Sequence, residues 1–288
     1  MPELPEVETV RLGLMRRIIG KEITRVQVKK AKLIRGVSAP VFVRTLKGSR
    51  FGHIDRIGKL LILSLMGKDR YVLVHLKMTG QLIYQKNSTV IAGGHQWPPI
   101  SGGLPNAYSH IIIDFADGGR LFFNDLRQFG YMELASAKRR QEVLDTYGVD
   151  PLLGKFTYTA FRDALAKRSR TLKAVLLDQS VIAGIGNIYA DEICFHARIR
   201  PNRSVKSLSE KELKALFVAT KHIMKRALEH GGTTFKDYRD SDGAKGNFTA
   251  LLKVYGRGGA PCKRCRQQLI KKIQHAGRGT HFCLRCQV

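Results

Sequence analysis

No stretch of about 18 residues in this chain lacks a charged or polar break, which excludes a membrane-spanning helix. A basic segment at the start is also missing: Glu3, Glu6 and Glu8 stand where a secretory leader would carry Lys or Arg, so no leader is expected. Cysteine is scarce, five in 288 residues, and four of the five lie in one C-terminal cluster. That placement excludes a disulfide framework spread over the fold. There is no internal repeat and no low-complexity tract. Acids are few as well, and none occurs from Gly243 to Val288, where ten Lys and Arg fall. Together these absences predict a soluble cytoplasmic chain.

What the sequence does contain is positive charge: 50 Lys and Arg against 23 Asp and Glu, a formal net charge of +27. Both halves share the excess, with 23 basic against 13 acidic residues in 1–150 and 27 against 10 in 151–288. Such an excess favours a polyanionic partner, because each phosphate neutralised by Lys or Arg releases a counterion. With 43% hydrophobic residues the chain has enough apolar material to fold, and its length is that of two domains.

Pro5 in a first helical turn, Val7, Val10, Leu14 and Ile18 at helical spacing, and Gly20 after Arg16 and Arg17 predict one amphipathic helix. Glu6 and Glu8 suit its positive end. Residues 21 to about 135 read as short strands with turns between them: Ile23 to Val28, Phe51 to Ile54, Leu60 to Leu65, Tyr71 to Leu76, and Ile111 to Phe115 turning through Asp117-Gly118-Gly119 into Leu121 to Phe123. This pattern predicts a β-sandwich. Lys86 to Tyr108, rich in Gly, Pro and Ser, reads as a long irregular loop. Beyond a polar linker over 137–150 the pattern turns helical, at Thr159 to Lys167, Leu172 to Asp178, Ile188 to Ala197 and Ser209 to His230, the last closed by Gly231-Gly232. The expected class is α+β, with an N-terminal sandwich over 1–136, a helical domain over 151–242 and a finger segment over 243–288.

Cys262-Lys-Arg-Cys265 and Cys283-Leu-Arg-Cys286 are two CxxC knuckles at the separation of a β-hairpin zinc finger. Four thiolates close a tetrahedral site, so one structural Zn2+ is expected. Arg278, between Gly277 and Gly279 at the expected hairpin tip, is placed to enter a nucleic-acid groove. Cys194, among Ile193 and Phe195, reads as a buried apolar residue.

The opening Met1-Pro-Glu-Leu-Pro-Glu-Val-Glu-Thr9, then His75-Leu-Lys-Met-Thr-Gly80, Asn124-Asp-Leu-Arg-Gln-Phe-Gly130, the run from Asp178 to Glu192, Val254-Tyr-Gly-Arg257 and the cysteine cluster follow one another along the chain. In this order they resemble the formamidopyrimidine-DNA glycosylase family. The resemblance implies an N-terminal β-sandwich followed by a helix-two-turn-helix domain and a zinc finger. It also implies a bifunctional glycosylase and AP lyase that removes oxidised purines from double-stranded DNA and acts on abasic sites. A monomeric, bacterial-type, nucleoid-associated protein is expected.

By the same resemblance the nucleophile is the amine of Pro2, freed by removal of Met1. An α-amine titrates at about 7.7–8, so a useful fraction is neutral near pH 7. Glu3 is implied as the acid beside it, Glu6 as a supporting carboxylate, and Lys59 as an active-site lysine on a β-turn. Arg278 is placed with this catalytic set. His75 and Lys77 fall in a DNA-contacting loop, while Met78, Arg127 and Phe129 match the residues that fill the gap left by an extruded base. Asn187, Lys253, Tyr255 and Arg257 are implied phosphate contacts, and the segment from Asp242 to Gly246 a loop closing over the base. Gln128 departs from the second basic residue many relatives carry. The alternatives are a relative that prefers oxidised pyrimidines, disfavoured by Leu4 and the Met78, Arg127, Phe129 set, and a noncatalytic zinc-finger DNA-binding protein, disfavoured by Pro2-Glu3.

Overall fold

The computed structural model describes residues 1–95, 103–233 and 248–288. The chain divides into two compact units. One comprises Met1–Asp145 with His230–Asn247, of which 230–233 are described, and the other Thr146–Glu229 with Phe248–Val288.

The first unit opens with helix α1 (Leu4–Ile18), started by Pro5 and by Glu6, whose Oε2 accepts the Glu3 N–H at 2.9 Å. Two five-stranded sheets follow. One has the order β1 (Ile23–Val28), β8 (Ser109–Phe115), β9 (Arg120–Asp125), β6 (Gly80–Lys86), β7 (Thr89–Gly94). The other runs β2 (Ile34–Arg35), β10 (Tyr131–Ser136), β5 (Arg70–His75), β4 (Leu60–Leu65), β3 (Phe51–Ile57). Alternate residues turn to a common core, with Leu61, Leu63, Val72 and Val74 from one sheet and Leu82, Ile111, Ile113, Leu121 and Phe123 from the other. Val7, Val10, Leu14 and Ile18 of α1 join that core, each contributing about 1.5–3 kcal/mol by leaving water.

Strands β2, β6 and β10 add to those named from the sequence, within the stretch read as β, and three further elements differ from the sequence reading. The stretch expected as one irregular loop from Lys86 begins instead with a hairpin, in which β7 pairs with β6 from Lys86↔Thr89 to Gln81↔Gly94. Its glycines are packing residues: a Cβ on Gly93 would lie 2.2 Å from Val10 Cγ2, and Gly94 takes a φ of +123°. Helix α2 (Ala39–Leu46) arises from Ala-Pro-Val-Phe-Val-Arg-Thr-Leu, whose β-branched residues obscure it, although Ser38 and Pro40 stand at its start. Helix α3 (Ala137–Leu144) occupies much of the stretch read as a linker. Ser136 Oγ accepts the Arg139 N–H at 3.2 Å, and the Arg139 guanidinium pairs with Glu133 at 2.8 Å.

The second unit is helical: α4 (Tyr158–Ala166), α5 (Leu172–Leu176), α6 (Asn187–Ala197) and α7 (Glu210–Glu229). Ser209 and Glu212 form a capping box at the start of α7, through N–H contacts of 2.8 and 3.3 Å. Tyr189 and Ile193 of α6 and Leu216, Ala219 and Met224 of α7 are fully buried. Strands β11 (Ile270–His275) and β12 (Arg278–Cys283) pair as an antiparallel hairpin. This α+β architecture is the one the sequence predicted.

Candidate functional site

Next to the chain start two carboxylates are buried in a basic protein. Glu3 and Glu6 are 3% and 1% exposed, and Pro2 is buried beside them. Glu6 works with both oxygens: Oε2 holds the Glu3 N–H, and Oε1 accepts from Thr233 N at 2.7 Å and Thr233 Oγ1 at 3.0 Å. It thereby fixes the first residues of the chain to the segment that follows Gly231 and Gly232. The α-amine, carried here by Met1, is drawn below its ordinary value by loss of solvation; Glu3 and Glu6 oppose this and Lys59 adds to it. Lys59 is thus electrostatically coupled to the chain start. It sits at the second position of the two-residue β3–β4 turn, where Gly58 supplies the positive φ of 53°.

Met78 and Phe129 are not core residues: they project from two adjoining loops, 39% and 50% exposed, with Leu126 at 44%. Buried Asp125 sets both loops. Its carboxylate bonds Thr79 Oγ1, the Arg127 N–H at 3.2 Å and the Gly130 N–H at 2.7 Å, while Thr79 Oγ1 accepts the Arg127 N–H at 2.9 Å. The Arg127 guanidinium lies 4.7 Å from the Phe129 ring centre. Neighbouring exposed apolar side chains, held by buried polar bonds, mark a contact surface. Beside them, His75 Nδ1 accepts the Lys77 N–H at 3.0 Å, which leaves Nε2–H to donate outward. Desolvation, then Lys77, Lys59 and Arg35, hold this imidazole well below its ordinary pKa, so it is neutral. Arg35 stacks 3.8 Å from the Tyr131 ring centre next to it.

In the second unit Asn187 opens α6, its Nδ2 donating to Gly279 O at 3.2 Å. Arg278 begins β12 after Ala276 and Gly277, both at positive φ (51° and 68°), the requirement of a tight two-residue hairpin turn. Its side chain is exposed. The segment bearing Lys253, Tyr255 and Arg257 is organised by Glu192, whose carboxylate accepts the N–H groups of Lys253, Val254 and Tyr255 at 2.8–3.0 Å. Lys253 is exposed. Arg257 donates through Nη1 to the Lys253 carbonyl at 2.8 Å and through Nη2 to the Pro261 carbonyl at 3.1 Å. Lys173 and Asp191, both wholly buried, tie α5 and α6 to the hairpin: Lys173 Nζ donates to Asp191 at 2.7 Å, Gly279 O at 3.0 Å and Thr280 Oγ1 at 2.8 Å, and Asp191 accepts the His281 N–H at 2.8 Å.

The four cysteine sulfurs lie within 4.8 Å of one another, with Cys262 to Cys286 and Cys265 to Cys283 each at 3.8 Å. Tetrahedral thiolates at about 2.3 Å from zinc stand about 3.8 Å apart, so the cluster fits one structural Zn2+. Cys194 is wholly buried.

Glu8, Asp125, Lys173, Asp191 and Glu192 were not singled out from sequence as site residues. Asp125, Asp191 and Glu192 do lie inside the motif runs, which was the available signal. The segment from Asp242 to Gly246 lies outside the described residues.

Residues 1–132 match the formamidopyrimidine-DNA glycosylase N-terminal domain, 147–239 the H2TH domain of the same family, and 259–288 the zinc finger found in FPG and IleRS. Formamidopyrimidine-DNA glycosylases of Heliobacterium modesticaldum and Carboxydothermus hydrogenoformans are 41% and 42% identical, covering the whole of both chains. A Lactococcus lactis Fpg in complex with DNA containing an abasic site has a TM-score of 0.84 at 32% identity, covering 99% of each chain; a mutant of that protein with DNA containing Fapy-dG has a TM-score of 0.85. Full-length identity at this level, together with all three domain matches, means that the chain belongs to the formamidopyrimidine-DNA glycosylase family.

Proposed function

We propose that the protein is a bifunctional DNA glycosylase and AP lyase that excises oxidised purines from duplex DNA and acts through a Schiff base on Pro2. The observation that carries this reading is Pro2 buried beside the buried carboxylates of Glu3 and Glu6, with Lys59 electrostatically coupled to the same chain start. With Met1 removed, the secondary amine of Pro2 attacks C1′ of the damaged nucleotide as the bond to the base breaks, the base leaving with the electron pair and taking up a proton. Glu3 protonates the sugar ring oxygen, the ring opens, and the amine lone pair completes an iminium. That cation acidifies the C2′ proton, whose loss drives elimination of the 3′ phosphate; loss of a second proton, from C4′ of the conjugated iminium so formed, drives elimination of the 5′ phosphate.

Met78, Arg127 and Phe129 would fill the stack vacated by the flipped base, offsetting a few kcal/mol of lost pairing and stacking. His75, Lys77, Asn187, Lys253, Tyr255, Arg257 and Arg278 supply the polar and cationic contacts for phosphates. The four-thiolate zinc site has no open position, so the metal supplies fold stability to the hairpin rather than reaction chemistry.

Glu3→Gln tests the acid role. Excision of an oxidised purine should fall by about 10²–10⁴-fold while affinity for lesion DNA is retained, because the basic surface is untouched. Unchanged excision by this variant would refute the assignment.

Opposite-base choice gives a second check. An Arg127 guanidinium offers only donors, which suit the acceptors of cytosine, so 8-oxoguanine should leave faster opposite C than opposite A. Arg127→Ala should erode that ratio by about five- to tenfold, the size of one charge-assisted hydrogen bond. Equal rates opposite C and A in the parent enzyme would remove the basis for placing Arg127 against the orphaned base.

A further inference from the structure

One buried ion cluster of the first unit has no task in the mechanism above. Glu8, on α1, accepts from Arg56 Nε at 2.8 Å and Arg11 Nε at 2.9 Å through one oxygen, and from Arg11 Nη2 at 2.7 Å through the other. Arg11 Nη1 donates to the Ile54 carbonyl at 3.0 Å, which anchors the cluster on β3. The Arg56 side chain is only 2% exposed, and its Nη1 donates to the Gly58 carbonyl at 3.0 Å. That carbonyl belongs to the peptide joining Gly58 to Lys59, so the guanidinium holds the plane from which Lys59 projects.

Stability alone does not call for this arrangement. Desolvating a guanidinium and a carboxylate costs several kcal/mol per ion, and apolar side chains of the same volume would hold α1 on β3 equally well. A fixed fork of N–H donors does what an apolar contact does not: it sets the orientation of one peptide relative to another element. Here the other element is α1, the helix whose first turn carries Glu3 and the amine.

We propose that Glu8 and Arg56 are positioning residues, a relay of charge-assisted hydrogen bonds that holds Lys59 in register with the Pro2 and Glu3 end of α1. The proposal rests on the reading of Lys59 as a contact to the damaged strand. Neither residue touches DNA; both act through Lys59.

The test is single-turnover excision of 8-oxoguanine from a duplex by Arg56→Lys, by Glu8→Gln, by Lys59→Ala and by the Arg56→Lys, Lys59→Ala double variant. Melting temperature and affinity for a duplex containing a tetrahydrofuran abasic analogue are measured alongside. Arg56→Lys keeps the charge opposite Glu8 but loses the planar fork. It should lower the excision rate by about 10–100-fold, as a misplacement of about 1 Å does, with affinity within about twofold of the parent. Glu8→Gln should show the same split between rate and affinity, which keeps the test decisive should either variant fold poorly. In the Lys59→Ala background, Arg56→Lys should cause no further loss. A purely structural cluster would lower the melting temperature and leave the rate per folded molecule unchanged. That result, or full additivity in the double variant, would overturn the relay. Parental excision by Lys59→Ala would overturn the role of Lys59 and the relay with it, an outcome distinct from additivity.

Discussion

An enzyme carrying a tag that keeps Met1 ahead of Pro2 is expected to lose borohydride-trappable adducts with lesion DNA by about a thousandfold or more. The Met1–Pro2 peptide nitrogen shares its lone pair with the carbonyl and has none to offer C1′. An amine at Met1 or upstream of it would lie one residue or more from the Pro2 nitrogen. Mass spectrometry of the intact chain, paired with trapping on oligonucleotides carrying 8-oxoguanine or an abasic site, reads the result. Equal trapping by tagged and processed enzymes would move the nucleophile elsewhere, with Lys59 the next candidate.

Replacing Cys262 by Ser, or stripping zinc with a chelator, should weaken binding to lesion duplex by about 100-fold or more while sparing the amine's intrinsic reactivity. The argument starts from how little apolar material the finger has. Its buried apolar residues are Phe195, Val254, Ile270, Phe282, Cys262 and Cys283, too few to fix a hairpin without a metal, whose binding is worth about 10–16 kcal/mol in comparable zinc peptides. Loss of the hairpin removes Arg278 and the Gly279 carbonyl that holds Asn187, so two proposed phosphate contacts fail together. Metal analysis should give one zinc per chain. Substoichiometric zinc in fully active protein would sink the assignment.

The parts of this fold legible in the sequence are those where local pattern and tertiary packing agree. Helix α1 announces itself through Pro5 and the spacing of Val7, Val10, Leu14 and Ile18, and the two CxxC knuckles through spacing alone. Strand β7 was hidden because Gly93 and Gly94 read as loop residues, whereas their lack of a side chain answers to Val10 and to a positive φ. Met78 and Phe129 are residue types that usually pack in a core, and only the motif match sets them apart. Only the Asp125 bonds that hold their loops explain why they stand exposed, and those bonds join residues up to 46 apart in sequence. Glu8 shows a third kind of concealment. Its place in a first turn suits the helix dipole, yet its carboxylate is committed to Arg11 and Arg56, the latter 48 residues away. Pairings set by sheet register leave no trace in local periodicity.

The approach of Gly93 to Val10 bears on how this chain can drift over generations. A methyl group at position 93 would overlap Val10 Cγ2 unless the valine shortened in the same step. Either change made alone is penalised, by a clash in one order and by a cavity in the other. The helix that carries the amine and an outer strand far along the chain are therefore inherited as a couple, and related sequences should show the two positions changing together or staying put together.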